Sequence, residues 1–311
     1  MFYNVENLFD TKNDPEKNDD EFLPEGNRHW TNTRFFQKIN HISQVIVAAG
    51  EGDYPSVIGL SEIENQDVLE SLIFHTPLGK LDYQIIHRES PDNRGIDVAF
   101  LYRKSRFKPL FFDAIPVKNP KDDKFKTRDI LYVKGVIGSD TIHFFVNHWP
   151  SKSGGIGATK PLRALAASTL RLKTDSLLNL NNRSNIIIMG DFNDTPSDVS
   201  IKVALGAKSP DETISLNSLY NLAAPLALKG KGTNKYRGKW SLIDQIIVSG
   251  NLLIGKKLKT FPKLFQIFSP DFLLENDEPN LGMKPYRTYS GFKYNGGFSD
   301  HLPVLLDLKR P

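Results

Sequence analysis

Four short apolar runs in this chain each meet an acidic residue at one end. Val57-Ile58-Gly59-Leu60-Ser61 leads into Glu62, and Ile186-Ile187-Ile188-Met189-Gly190 leads into Asp191. Asp244 opens Gln245 to Val248, and Asp300-His301 precedes Leu302-Pro303-Val304-Leu305. Runs of this length, rich in branched residues and bounded by polar ones, predict buried strands. Strand ends gather on one rim of a sheet, so Glu62, Asp191 and Asp300 come together. Three carboxylates in one place repel one another unless a cation intervenes, and a hard divalent ion with oxygen ligands meets that need. Cysteine is absent from all 311 residues. That excludes disulfides, thiolate metal sites, iron–sulfur clusters and thiol nucleophiles. Oxygen donors with imidazole in reserve favour Mg²⁺ or Mn²⁺ over Zn²⁺ and call for no organic cofactor.

The rest of the chain alternates strands and helices with no repeat. Phe35, Ile39, Ile42, Ile46 and Ala49 recur at helical spacing, with Gly50 as a stop. Residues 66–75 read as a short helix. Tyr83 to Arg88, Ile96 to Arg103 and Phe107 to Asp113 read as strands. Asp129 to Ile137 and Thr141 to Asn147 read as a hairpin turning at Gly138-Ser139. Thr159 to Leu180 is the clearest helix, with Thr159 as its expected N-cap and Pro161 in the first turn. With no linker or low-complexity tract, residues 1–311 read as a single α/β domain in which a sheet sandwich is covered by helices. Asp10 to Glu21 holds six acids and two lysines without the glycine and spacing of a calcium loop, so it reads as a polar loop.

The formal charge of +4 and 24% charged residues fit a globular protein and imply no strong field for duplex nucleic acid. The longest apolar runs fall far short of the roughly 20 residues of a membrane span, so no membrane insertion is expected. The chain opens abruptly at Met1-Phe2-Tyr3-Asn4-Val5, inside what reads as a strand. That is the pattern of a trimmed or mature chain, and it fits a secreted or periplasmic bacterial protein.

The ordered pieces YNVENL (Tyr3 to Leu8), LSEIEN (Leu60 to Asn65), RGIDVAFLY (Arg94 to Tyr102), NHWPSKSGG (Asn147 to Gly155), GDFND (Gly190 to Asp194), LIDQIIVS (Leu242 to Ser249) and GGFSDHLPV (Gly296 to Val304) resemble the endonuclease/exonuclease/phosphatase superfamily. Their style is similar to its branch of bacterial predicted extracellular nucleases. The resemblance implies a four-layered α/β sandwich, two packed and mostly antiparallel sheets flanked by helices. It implies Glu62 as the main metal ligand, Asp300 as a second, and Asn4 beside the metal holding water or phosphate. Asp191 would orient and deprotonate the attacking water, and Asn193 would hold a phosphate oxygen. His301, oriented by Asp244, would stabilise charge on the phosphoryl group, and His148 would serve the leaving group as a general acid. Arg128 lies where the family often binds phosphate. Arg163 and Lys152 are further phosphate-binding candidates, and Asp97 is expected to hydrogen-bond and orient His148.

These roles answer a general need. A phosphate ester repels hydroxide, so its hydrolysis calls for charge neutralisation, a base beside a water, and an imidazole held in one tautomer. The expected reaction is metal-dependent hydrolysis of phosphodiesters, with nucleic acid as the foremost substrate and the protein acting as a monomer. The alternatives are a phosphatase or phosphodiesterase on a small-molecule or lipid-headgroup phosphate, and a catalytically silent binding protein. Gly230 to Trp240, with four basic residues, two aromatics and no acid, suits phosphate tracking and base stacking. Phe265 to Phe298, with eight aromatics, is expected to form a lid or pocket wall.

Overall fold

The computed structural model describes residues 1–50 and 52–310. Two sheets carry the architecture. The first contains β1 (Phe2–Leu8), β2 (Val57–Ile63), β3 (Tyr83–His87) and β4 (Asp97–Arg103), with Phe265–Ile267 and Val304–Leu306 beyond β1. The second contains β5 (Lys108–Ile115), β6 (Ile130–Ile137), β7 (Asp140–His148) and β8 (Asn185–Asp191). Asp244–Ser249, Leu219–Asn221 and Ala207–Lys208 follow β8 in that sheet.

Alternate side chains along these strands face different layers, which is why the runs read as continuously apolar. Phe2, Phe100, Phe144, Val146, Met189 and Ile246 pack between the sheets. Tyr3, Leu60 and Leu101 face the other way, against α1 (Asn32–Ala49) and α2 (Gln66–Phe74). Phe145, Ile186 and Ile188 face α3 (Ile156–Leu180). The result is the expected four layers: helices, sheet, sheet, helix. Pairing is antiparallel except where a helix carries the chain across, at β1–β2 and β7–β8, and at the short Ala207–Lys208 edge.

Helix α1 buries Phe35, Ile39, Ile42 and Ile46, the stripe that the spacing predicts, and Thr31 caps it by accepting from the N–H of Arg34. Helix α3 begins earlier than expected. Gly154 and Gly155 have φ of 84° and 108°, and this turn starts the helix at Ile156. Thr159 is therefore inside the helix, its hydroxyl donating to the Gly155 carbonyl at 2.9 Å.

Most of 265–298 is not a lid. Leu273, Tyr289 and Phe298 are buried with the residues beneath α1, leaving Arg287 as the one residue of the segment that lines the central cavity among the described residues. Among the described residues, no helix is long and apolar enough to cross a membrane.

Candidate active site

Strand register builds the site. In the second sheet His148 of β7 pairs with Asp191 of β8, and Asp191 pairs in turn with Asp244, so three functional side chains stand in a row on one rim. In the first sheet Asn4 of β1 pairs with Ser61, next to Glu62. The regular ladder breaks there: β1 slips between Asn4 and Leu8, and β2 slips against β4 between Ser61 and Ile63. Glu6, Asn7 and Glu62 have φ of 52°, 56° and 64°, and Asn193 has 52°. Left-handed backbone at non-glycine residues is strained, and such strain gathers where side chains must be aimed.

The aimed groups meet at the seam between the sheets. Asn4 Nδ2 donates to Asp191 Oδ2 at 3.0 Å and to Glu62 Oε1 at 3.3 Å. His148 Nε2 lies 3.7 Å from Asp191 Oδ2 and 3.8 Å from Glu62 Oε1. His301 Nδ1 sits 2.7 Å from Asp244 Oδ2, which also accepts from the hydroxyl of Thr233. Its Nε2 is 3.9 Å from both Asp191 and Asp300. The Asn193 backbone N–H donates to Asp191 Oδ1 at 2.9 Å, and its side-chain amide holds the Trp149 carbonyl at 3.0 Å.

Electrostatics separates the two imidazoles. Burial alone would lower the His301 pKa, but Asp244, Asp191 and Asp300 outweigh it and hold this ring as a cation. Burial, Arg128 and Arg94 push His148 well below the usual 6.5, so it is neutral, and its Nδ1 is buried without a partner. Burial raises Asp191 to about 7, against the opposing pull of His301.

The structure places three of the expected residues elsewhere. Arg128 is buried and does not face the cavity: Nη1 pairs with Asp92 at 3.0 Å, Nη2 donates to the Trp149 carbonyl at 2.6 Å, and Nε donates to the His148 carbonyl at 3.2 Å. Arg163 is 1% exposed and pairs with Asp194 at 2.8 Å, so it anchors α3 to the loop after β8. Asp97 does not touch His148. It accepts from Ser90 and lies 3.1 Å from His87 Nε2, so its carboxylate is used by β3 and the loop that follows it. Lys152 does reach the cavity, 3.4 Å from Asp194.

The cavity has a volume of about 730 Å³, with Glu62, His148, Asp191, Asn193, Asp300 and His301 on its floor. Arg94, Lys152, Lys239 and Arg287 supply positive charge around it, whereas Lys235 is paired with Asp277 at 2.7 Å. Neither Arg94 nor Arg287 was assigned a role from sequence. Arg287 bonds Glu6 and Asp300, each at 3.1 Å. Gly230 to Trp240 forms a hairpin, Asn234–Tyr236 against Lys239–Ser241. It is tied to the floor by Asn234, which donates to the Asp300 carbonyl at 3.0 Å.

The residues fit a divalent cation. Glu62 has no lysine or arginine partner among the described residues, and neither has Asp191; both point at the same amide and the same neutral imidazole. A hard ion supplies the missing charge with oxygen ligands. Asp191, Asp244 and His301 also converge within 4.8 Å of one another. Asp244 and His301 already satisfy each other, however, which leaves Glu62 as the open carboxylate.

A family model described as "Endonuclease/Exonuclease/phosphatase family" matches residues 1–310. The chain belongs to that family. It is a metal-dependent hydrolase of phosphate esters. Solved structures of the same fold include truncated TDP2 of Caenorhabditis elegans (18% identity, TM-score 0.55, covering 88% of this chain and 91% of that one). The human nocturnin catalytic domain with bound sulfate is similar at 18% identity and TM-score 0.56, covering 88% and 87%. A mannosyl-6-phosphatase of Bacteroides thetaiotaomicron is similar at 17% identity and TM-score 0.57, covering 99% and 98%. At these identities the likeness is one of fold. No curated protein matches in sequence.

Proposed function

We propose that this member of the family is a nuclease, hydrolysing the phosphodiester bond of a nucleic-acid strand. The observation that carries the reading is the pairing of a charge-tuned floor with a basic wall. His148 Nε2 lies within 4 Å of both Asp191 and Glu62, under a cavity edged by Arg94, Lys152, Lys239 and Arg287. Tyr236, 68% exposed at the hairpin tip with Arg237 stacked on it at 5.2 Å, offers a platform for a base.

In this reading Asp191 takes the proton of the attacking water, its carboxylate aimed by the Asn193 N–H and the Asn4 amide. The cationic His301, fixed by Asp244 and Thr233, faces the developing charge on phosphorus. His148, held neutral, donates from Nε2 to the leaving oxygen as a hydrogen-bond donor rather than as an imidazolium. Mg²⁺ or Mn²⁺ would be held by Glu62 with Asn4 beside it, and by Asp300 once it yields its Arg287 partner, and would supply Lewis-acid charge. Asp191→Ala in otherwise intact protein is expected to abolish Mg²⁺-dependent cleavage of a single-stranded oligonucleotide. Retained cleavage would refute the assignment of the base.

A second reading, a phosphatase on a sugar phosphate, is favoured by the likeness in fold, over 99% of this chain, to a mannosyl-6-phosphatase. Salt separates the two. Affinity for a strand that touches several phosphates falls steeply with ionic strength, whereas affinity for a single sugar phosphate changes little.

A further inference from the structure

A second cleft, of about 690 Å³, opens at the end of the second sheet away from the catalytic rim. Strand direction fixes its place. β7 runs from Asp140 to His148 and β8 from Asn185 to Asp191, and the cleft is lined where both begin, by Asp140, Thr141, His143 and Asn185. At roughly 3.3 Å per residue, His143 and His148 stand about 17 Å apart along β7.

The cleft exists because α3 ends. That helix covers Phe145, Ile186 and Ile188 on the outer face of the sheet, and its last residue is Leu180. Past it, the same face carries Lys134 directly opposite His143, two residues along each strand from the Tyr132–Phe145 pair. His143, Ser184 and Asn185 line the cleft although each is more than nine-tenths buried. The Tyr132 hydroxyl lies 2.7 Å from His143 Nδ1. A phenol is the better donor and a neutral imidazole nitrogen the better acceptor, so the ring keeps its hydrogen on Nε2. That nitrogen has no protein partner among the described residues.

Charge decides what such a cleft can hold. Lys134, Arg183, Lys256 and Lys257 line it, and none has an ion-pair partner among the described residues. The one acid of the lining, Asp140, is paired with Arg310 at 3.2 Å. The C-terminus of α3 brings about half a negative charge to this end, too little to offset four cations. Leu177, Leu180 and the Tyr132 ring add apolar surface, Leu180 being 86% exposed. The volume falls within the roughly 300–1,000 Å³ of small-molecule sites.

We infer that this cleft is an accessory binding site, separate from turnover, for a small organic phosphate carrying at least two negative charges. The four cations and the His143 Nε2–H meet the phosphate oxygens, while Leu177, Leu180 and Tyr132 cover the organic part. The site stands whichever substrate the catalytic floor takes.

Calorimetric titration of the intact protein, without metal and at fixed ionic strength, with adenosine 5′-diphosphate tests it. Arg287→Met is the control for uptake in the catalytic cavity, and Lys256→Glu combined with Lys257→Glu reverses two charges of the cleft. The paired lysine change is expected to weaken binding by about tenfold or more, with Tm and the turnover of bis-p-nitrophenyl phosphate unchanged. Arg287→Met should leave this binding step intact, and inorganic pyrophosphate should bind more weakly than the nucleotide. In the wild type, the His143 Nε2 resonance should move on titration, a readout that needs no variant to fold. Absence of binding, a His143 resonance that stays still, affinity untouched by the lysine changes, or affinity lost with Arg287→Met would each overturn the proposal. Pyrophosphate bound as tightly as the nucleotide would overturn the organic class of ligand. Binding of a single-stranded oligonucleotide without binding of the diphosphate would overturn it as well, giving the cleft to a polymer.

Discussion

Replacing Arg128 by Met separates a phosphate-binding role from the structural one seen here. The guanidinium spends its three nitrogens on Asp92 and on the carbonyls of His148 and Trp149, so the change takes its counter-charge from a buried carboxylate and one donor from each carbonyl, although Asp92 keeps the Arg94 N–H and the Trp149 carbonyl keeps the Asn193 amide. Breaking a buried pair from one side costs about 3–5 kcal/mol, and the donors that Asp92 and Trp149 keep hold the total within that range. For a chain of this length about 2 °C of Tm accompanies each kcal/mol, giving an expected fall of roughly 6–10 °C. Thermal unfolding followed by circular dichroism measures it. Asp92→Asn combined with Arg128→Met should cost clearly less than the sum of the single changes, because the two share one contact. Below the transition, turnover should fall as well, since the carbonyl of His148 loses its tether. A variant that melts like the wild type and shows only a raised KM would refute the structural account and restore Arg128 to the substrate.

Gly190→Ala should be worse than Gly59→Ala. A methyl at 190 overlaps the backbone carbonyl of Asn147, which cannot yield without parting β7 from β8, whereas at 59 it meets the flexible Met189 side chain. We expect about 1–3 kcal/mol of destabilisation at 190 and a loss of turnover, because the strained pair adjoins His148–Asp191. Urea unfolding together with kcat checks both. His143, lowered from 6.5 to about 4 by burial and Lys134, binds its proton less readily folded than unfolded. Its contribution is therefore complete above pH 6.5 and is lost as pH falls from there toward 4. His143 lines an open surface cleft with Tyr132, Asn185 and Asn251, so about 1–2 kcal/mol is expected, and His143→Gln should flatten stability across that window. Chelation should remove turnover and lower Tm, and Mg²⁺ should restore both.

The sequence carried most of the sandwich, because buried strands declare themselves as apolar runs, and it carried the floor of the site, because Glu62, Asp191, Asp244 and His301 terminate those runs. It could not carry what depends on distant partners. Arg128 and Arg163 look like substrate-binding cations until Asp92 and Asp194, far along the chain, are found to neutralise them. Arg287 and Arg94 lie in loops with no periodicity, so nothing local marked them as pocket walls. The left-handed backbone at Glu62, Asn7 and Asn193 was equally hidden, since only glycine advertises such a conformation. Thr159 was misplaced for the related reason that Gly154 and Gly155 turn the chain before any capping side chain is reached.

Glu62 and Asn4 come from one sheet, and Asp191, His148 and Asp244 come from the other. No half of this molecule contains a site. Turnover is therefore a gauge of whether the two sheets are docked: during refolding it should recover only in the last phase, after helical and strand signals have returned. A variant that loosens the seam without unfolding either sheet should register first as a loss of catalysis.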